Sequence, residues 1–214
     1  ELKPLYNRAA LGLYAPASTW KLAAAGIALD VGAVTPDETL PVPCTGSFTW
    51  GNRTWRCHLA EGHGYQNLAQ AIGNSCDVYF YQLGLRVGLD RMLDRATDVG
   101  FSRRCGIDLP QESEGIFPAE RDFWRRTFGY DPLEGEVLNL AIGQGPNSQT
   151  PLKMAQFYTA LARDGSAPAP AIARGVDLDE EGWSLNLAPE HIASLHEGLR
   201  MVTAPGGTAH LSGT

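Results

Sequence analysis

Helix-forming segments with sharp start and stop residues occupy most of this 214-residue chain. Thr150-Pro151 is a cap followed by proline at the first helical position, and Gly165 is the matching stop. Pro189 begins a last helix, to about residue 202, in the same way. The pattern predicts a helix-rich chain. The other predicted helices are residues 18–29, 65–73, 75–87 and 89–98.

Strand signals are few and short. The aromatic and β-branched runs 48–50 and 53–55 are separated by Gly51-Asn52, which is typical of a hairpin turn. Residues 106–110 predict a short edge segment closed by proline, and residues 111–138 are predicted to be mostly irregular. Because the chain has no internal repeat and no low-complexity linker, we expect a single domain.

Charge and hydropathy exclude two classes of function. The chain has 17 basic and 24 acidic residues, a net charge of −7, and no basic stripe, so nucleic acid is not an expected partner. The longest apolar run, Leu22–Leu29, is far shorter than the roughly 20 residues that span a bilayer.

The chain begins at Glu1 without methionine, and we interpret it as a fragment of a longer protein.

The tetrapeptide Ser18-Thr19-Trp20-Lys21 is the most informative motif. Residues three apart share a helix face, so Lys21 is expected beside the Ser18 hydroxyl. A serine becomes a nucleophile when a base takes its proton, and a neutral lysine can be that base. The alternative is that Ser18 is an ordinary N-cap and Lys21 a solvated first-turn lysine.

Two further motifs have weaker signals. Ser75-Cys76-Asp77 stands at a predicted helix start, where an N-cap serine and a first-turn carboxylate would also be unremarkable. Ile142-Gly143-Gln144-Gly145 predicts a loop that bulky side chains could not follow. It is not a phosphate loop, since no Gly-Lys-Ser/Thr follows it.

Taken in order, these segments resemble the class B penicillin-binding proteins, the peptidoglycan D,D-transpeptidases. Asp77 in place of an asparagine and the upstream Gly62-His63-Gly64 are similar to the cell-elongation subgroup, penicillin-binding protein 2. The resemblance covers essentially the whole chain. The segments that carry it are 5–21 around the nucleophile, 75–83, 141–155 and 205–209.

The resemblance implies an α/β (α+β) fold of the penicillin-recognising, β-lactamase-like type, an antiparallel sheet flanked by helices. Residues 1–214 would be a partial transpeptidase domain, the helix-rich part, with several sheet strands outside the chain. The family's Lys-Thr-Gly motif is absent from the chain. The segment Leu211-Ser212-Gly213-Thr214 has a similar pattern, but Leu211 occupies the position where the motif has lysine. We interpret this as truncation, and expect the pedestal domain and membrane anchor to lie outside the chain as well.

By the same resemblance, Ser18 attacks the D-Ala-D-Ala end of a stem peptide and β-lactams acylate the same serine. Lys21 is the expected general base, Ser75 a proton relay, and Asp77 the residue that orients both. The oxyanion hole would use the Ser18 amide and a second amide from outside the chain.

The implied biology is peptidoglycan synthesis in cell elongation and shape, at the periplasmic face, with an inner-membrane anchor and a glycosyltransferase membrane partner. Three alternatives share the Ser-x-x-Lys motif: a serine β-lactamase, a β-lactam sensor that stays acylated, and a catalytically silent scaffold. Turnover of stem peptide separates an enzyme from the last two.

Cysteine and histidine spacing predicts a structural zinc site. Cys44, Cys57, His63 and Cys76 follow the pattern Cys-x12-Cys-x5-His-x12-Cys. Three thiolates and one imidazole satisfy tetrahedral zinc with no open position. The resembled subgroup includes members with a metal site here.

Alternatives to that zinc site remain open. The hairpin would also bring Cys44 and Cys57 within range of a disulfide, and the four residues could simply be unrelated core positions. His58 is the competing imidazole, ranked second because neighbours in an extended segment face opposite sides. Cys105 fits no spacing and is expected to be a free core thiol.

Overall fold

A computed structural model describes residues 5–175 and 182–210, which form helices and two small two-stranded antiparallel sheets. The expected Leu211–Thr214 segment lies outside the described residues. The helices are α1 Arg8–Leu11, α2 Lys21–Asp30, α3 Leu68–Gly73, α4 Asp77–Val87, α5 Leu89–Val99, α6 Asp122–Phe128, α7 Glu136–Ala141, α8 Pro151–Ala162 and α9 Pro189–Thr203. The strands are β1 Ser47–Trp50, β2 Arg53–Arg56, β3 Ser166–Ala167 and β4 Trp183–Ser184.

The proline signals at the starts of α8 and α9 locate these two helix starts accurately. The Thr150 hydroxyl accepts a hydrogen bond from the Lys153 backbone N–H at 3.0 Å, and Pro151 is the first residue of α8. The start of α3 lies later than predicted. Asn67 and Gln70 form a reciprocal capping box, which satisfies the first backbone donors at Leu68 rather than at residue 65.

One of the two sequence predictions for residues 106–138 is wrong. Residues 106–110 form no strand, because the carboxylate of Glu112 accepts the backbone N–H groups of Cys105, Gly106 and Ile107. Residues 111–138 are mostly irregular, as predicted, although they also contain α6 and the first residues of α7, which the sequence pattern did not reveal. These helices are short, and their only strong local signal is the left-handed Gly129 that ends α6.

The β1–β2 hairpin packs on α4. Phe48 pairs with Trp55 across the strands, and both side chains are buried. Their ring centroids lie 6.2 and 6.4 Å from that of Tyr81 on α4, and the Tyr81 hydroxyl donates to the Arg56 carbonyl at 3.0 Å. Burial of such aromatic side chains contributes roughly 1.5–3 kcal/mol each. The hairpin base is thereby held against the start of α4.

The centre of the core is α2, whose residues 21–29 are all buried. An aromatic cluster closes one end of it: Trp20 lies 4.3 Å from Phe101 between ring centroids, and Phe101 lies 5.2 Å from Trp183. These contacts fix the chain immediately before α2. Among the described residues, no helix has the length and apolarity required to cross a membrane.

Candidate active site

Ser18 lies on a 3₁₀ turn, Ala17–Trp20, that leads directly into α2. Ala17 adopts a left-handed conformation with φ of 48°, and its N–H donates to the Gly143 carbonyl at 3.0 Å. Trp20 is fully buried, whereas Ser18 is exposed. The turn is therefore anchored on both sides of a solvent-accessible hydroxyl.

Lys21 is buried and fully hydrogen-bonded. Its Nζ donates to the Ser75 carbonyl at 2.7 Å, to Ser75 Oγ at 3.0 Å and to Asp77 Oδ1 at 2.6 Å. Three acceptors match the three hydrogens of an ammonium group. The alternative of a solvated first-turn lysine is wrong, because the side chain is only 2% exposed.

Ser75 and Asp77 reach Lys21 by different backbone conformations. Ser75 is not the first helical residue that the sequence predicted: its φ is 49°, and α4 begins at Asp77. Asp77 uses its second oxygen, Oδ2, to accept the backbone N–H of His58 at 3.1 Å. The carboxylate therefore connects the lysine to the base of the hairpin.

A cleft of about 200 Å³ brings Ser18, Lys21 and Ser75 together. Two further lining residues were not identified as functional from sequence. Tyr158 of α8 donates its hydroxyl to the Thr19 carbonyl at 2.9 Å, and Thr208 donates its backbone N–H to Gly73 at 3.2 Å. Burial raises the pKa of Tyr158 to about 12, so this hydroxyl keeps its proton. The family resemblance could have identified Thr208, because it includes the segment 205–209. No sequence pattern pointed to Tyr158.

The structure brings Cys44, Cys57, His63 and Cys76 together. Their ligand atoms all lie within 4.8 Å of one another, and His63 Nδ1 is 3.6 Å from the Sγ atoms of both Cys44 and Cys57. Paired backbone hydrogen bonds between Cys44 and Gly64, each 2.9 Å, hold the His63 loop in place. All four cysteines of the chain are free thiols, so a Cys44–Cys57 disulfide does not form here.

The thiols of this cluster differ in electrostatic environment. The pKa of Cys57 is lowered to about 3, first because its sulfur accepts a hydrogen bond from Cys76 and then by backbone N–H groups. The same hydrogen bond, with burial, raises the pKa of Cys76. Cys105 is buried apart from the cluster, as expected, and burial raises its pKa to about 12.

The four donors fit tetrahedral zinc. With Zn–S near 2.3 Å and Zn–N near 2.0–2.1 Å, tetrahedral angles place sulfur and nitrogen about 3.5–3.6 Å apart. The two measured distances to His63 Nδ1 are 3.6 Å. His58 fits less well: its Nδ1 is 3.9 Å from Cys57 Sγ and 3.8 Å from Asp77 Oδ2, and its side chain is half exposed.

Comparison with known proteins agrees with this fold. Residues 1–213 match the family described as penicillin binding protein transpeptidase domain. The chain therefore belongs to the penicillin-binding protein transpeptidases. Within that family many of the relatives it matches are penicillin-binding protein 2 enzymes, as the sequence resemblance predicted.

Two proteins illustrate the similarity. The peptidoglycan D,D-transpeptidase MrdA of Acinetobacter baumannii is 36% identical over 173 residues, 80% of this chain and 25% of the relative. The structure of Pseudomonas aeruginosa PBP2 in complex with WCK 5153 has a TM-score of 0.87 at 34% identity and covers 97% of this chain and 48% of that one. The chain thus spans a quarter of the first of these proteins and about half of the second.

A third comparison concerns an assembly. A structure described as coordination of polymerization and crosslinking by a peptidoglycan synthase complex has a TM-score of 0.81 and 28% identity. It covers 98% of this chain and 35% of that one. The fold predicted from the resemblance, helix-rich with few strands in this part of the chain, is confirmed by these structures together with the described elements.

Proposed function

We propose that the full-length protein is a peptidoglycan D,D-transpeptidase that cross-links stem peptides through an acyl-enzyme on Ser18. The observation that carries this proposal is the contact of buried Lys21 with both Ser75 and Asp77 beneath the exposed Ser18. Ser18 and Lys21 line the same cleft, and a lysine base oriented by a third group is part of the arrangement that activates a serine nucleophile.

The first half of the reaction forms the acyl-enzyme. Lys21, which pairs with Asp77 as an ammonium at rest, first loses one proton to solvent. Ser18 Oγ then attacks the carbonyl of the penultimate D-Ala, and the hydroxyl proton passes to the neutral Lys21 Nζ. Ser75 then relays a proton to the departing nitrogen, so the peptide bond breaks and D-Ala leaves with its amino group. The Ser18 ester now holds the stem peptide.

The second half transfers the acyl group. An amine of a neighbouring stem attacks the ester carbonyl, loses a proton to the same relay, and Ser18 regains its hydroxyl hydrogen. Asp77 holds Lys21 in contact with Ser75 by accepting a hydrogen bond from Lys21 Nζ. The Ser18 backbone amide supplies one oxyanion donor and a residue outside the chain the other; loss of one such donor typically costs about 10² to 10³ in rate.

The test uses the full-length protein, fluorescent penicillin and stem pentapeptide. We expect label on Ser18, and loss of labelling by about 10⁴-fold or more in Ser18→Ala and Lys21→Ala. Thr19→Val is the matched control, since it removes an adjacent exposed hydroxyl that donates to Pro16. Label on another residue would overturn the assignment.

Stem-peptide products separate the remaining functions. Cross-linked product with release of D-Ala is the expected result. Stable acylation without turnover would instead indicate a β-lactam sensor, no acylation a silent scaffold, and rapid penicillin hydrolysis a serine β-lactamase. Each of these three outcomes contradicts the transpeptidase proposal.

The relatives support a cellular setting for the full-length protein. We place it at the periplasmic face in cell elongation, anchored to the inner membrane and working beside a glycosyltransferase membrane partner. The synthase complex that coordinates polymerization and crosslinking supports the last point, because it is similar to this chain over 98% of its length. Peptidoglycan stem peptides and β-lactams are the proposed ligands of the cleft.

We further propose that Cys44, Cys57, His63 and Cys76 hold a structural zinc ion. What supports it is the 3.6 Å spacing of the thiols from His63 and a set of four donors with no position left for water. The ion would supply a cross-link between the hairpin base and Cys76, which lies between Ser75 and Asp77. Its contribution is to stability, with no part in the acyl transfer.

Metal analysis of protein purified without chelator tests this site. About one zinc per chain is expected, with loss of zinc and of thermal stability in His63→Ala. His58→Ala is the matched control, because it removes the neighbouring imidazole that fits the geometry less well. A stable protein that contains no metal would overturn the proposal.

A further inference from the structure

Four large apolar side chains are exposed near the start of α7. Trp50 is 38% exposed, Phe128 51%, Tyr130 47% and Leu133 74%. We call this surface the aromatic rim. Soluble proteins tolerate scattered exposed apolar residues, but a contiguous group is typical of a binding surface.

The rim is ordered by specific contacts. The rings of Phe128 and Tyr130 stack with centroids 6.0 Å apart and an interplanar angle of 24°. The Tyr130 hydroxyl donates to Glu136 Oε1 at 3.4 Å, at the first residue of α7. The Trp50 ring covers Gly135, where a Cβ would lie 3.0 Å from Cζ3. Trp50 and Tyr130 therefore meet the same end of one helix.

The first route from the rim to the catalytic residues runs along α7. This helix has six residues and is about 9 Å long. Gly143 follows it closely, and its carbonyl accepts the N–H of Ala17, the residue before Ser18. The rim thus lies roughly one short helix away from the nucleophile turn.

A second route runs along the hairpin. Trp50 ends β1 and pairs with Arg53, the first residue of β2. The four residues of β2 span about 13 Å, and His58, two residues beyond, donates its N–H to Asp77. Two independent elements therefore place the rim on the order of 10–20 Å from the catalytic groups.

That separation matches the dimensions of the proposed substrate. The carbonyl that Ser18 attacks belongs to the fourth residue of the stem peptide, and the first residue is attached to the glycan strand. Four extended residues span about 13–14 Å. When the stem peptide occupies the cleft, the sugar rings of the attached glycan strand consequently lie about as far from Ser18 as the aromatic rim does.

The chemistry of the rim suits a sugar. The C–H face of a pyranose ring packs on an aromatic ring, and its hydroxyls need charged or polar groups alongside. Two exposed ion pairs belong to the same segment, Arg125 with Asp131 at 2.6 Å and Arg126 with Glu120 at 3.2 Å. We propose that the aromatic rim is a subsite for the glycan strand of peptidoglycan, an inference that rests on the proposed transpeptidase function.

The test compares the full-length protein with a Trp50→Ala/Tyr130→Ala variant on two probes. The first is glycan strands stripped of stem peptides, and the second is free stem pentapeptide. We expect the variant to bind stripped glycan about tenfold more weakly or worse, with unchanged KM for free stem peptide. Labelling by fluorescent penicillin, which contains no sugar, should equal that of the unaltered protein.

Tyr65→Ala is the control variant, because it removes a tyrosine that is 63% exposed and outside the rim. Equal binding of stripped glycan by the rim variant and the unaltered protein would overturn the subsite, and would leave the rim as a surface for a protein partner. Failure of the unaltered protein to turn over stem peptide would overturn the proposed function instead. Glycan binding and peptide turnover thus report the two failures separately.

Discussion

Lys21 Nζ lies 2.6 Å from Asp77 Oδ1, although the two residues are 56 positions apart in the chain. Their side chains are 2% and 15% exposed, so the pair is largely removed from water. A buried charge without its partner is costly, whereas a neutral hydrogen-bonding partner retains part of the interaction.

The first prediction concerns this pair. Asp77→Ala should lower the free energy of unfolding by about 3–5 kcal/mol, because it leaves the Lys21 ammonium buried without a carboxylate. Asp77→Asn keeps an acceptor oxygen for Nζ and should cost about 1 kcal/mol. Denaturant unfolding of the two variants is the measurement. Equal losses for both variants would contradict the prediction that a neutral acceptor oxygen at position 77 retains most of the interaction with Lys21.

The second prediction uses the two glycines of the Gly143-Gln144-Gly145 loop. Both have positive φ, 71° and 74°. A Cβ at Gly143 would lie 2.3 Å from the Ala17 carbonyl oxygen, whereas one at Gly145 would meet only the Asn139 Cβ at 3.5 Å. Each change to alanine costs about 1–2 kcal/mol in backbone strain.

Only Gly143→Ala should also displace the nucleophile turn. We expect it to reduce the rate of penicillin acylation by about 10²-fold, and Gly145→Ala to leave that rate within about twofold. Stopped-flow acylation of the two variants makes the comparison. Similar rates would mean that the contact of Gly143 with Ala17 does not position Ser18.

The third prediction concerns Glu112, which satisfies three backbone donors in the segment predicted as a strand. Glu112→Ala leaves those N–H groups without their acceptor, so unfolding free energy should fall by about 2–4 kcal/mol. Glu114→Ala is the control, an exposed carboxylate two residues away, with an expected change within about 0.5 kcal/mol. The measurement is thermal unfolding. Equal losses of stability in the two variants would contradict the role of Glu112 as acceptor for these three N–H groups.

The fourth prediction concerns Tyr158. Removing its hydroxyl in Tyr158→Phe loses the hydrogen bond to the Thr19 carbonyl, and acylation should slow about fivefold, equivalent to about 1 kcal/mol. The raised pKa, about 12, means that the hydroxyl stays protonated and keeps donating as the pH rises. The ratio of the two acylation rates should therefore be constant between about pH 6 and pH 10. A ratio that falls towards 1 below pH 10 would show that the hydroxyl ionises earlier.

Local chemistry explains which helix starts are readable in the sequence. Thr150 and Pro151 act on backbone groups within one turn, so their effect does not depend on the rest of the chain. The same holds for the Ser-x-x-Lys spacing, because Ser18 and Lys21 are three residues apart across the turn into α2. The positions of these elements are decided by sequence neighbours.

The residues around Lys21 are decided by tertiary structure. Ser75 is predicted as a helical residue, yet it adopts a left-handed conformation that turns both its hydroxyl and its carbonyl to the lysine. The amide of His58 reaches Asp77 only because the hairpin packs on α4. None of these contacts has a periodicity or cap that a sequence pattern could reveal.

The sequence by itself therefore determined the helix-rich class and the hairpin, and it supplied the four proposed catalytic positions, because each depends on spacing or on motifs that a family resemblance carries. It did not determine the short helices α6 and α7, which rely on burial of Trp124 and Leu138 rather than on strong caps. Burial and long-range hydrogen bonds arise only when distant segments pack together. For that reason Tyr158 and the aromatic rim became visible only in the folded chain.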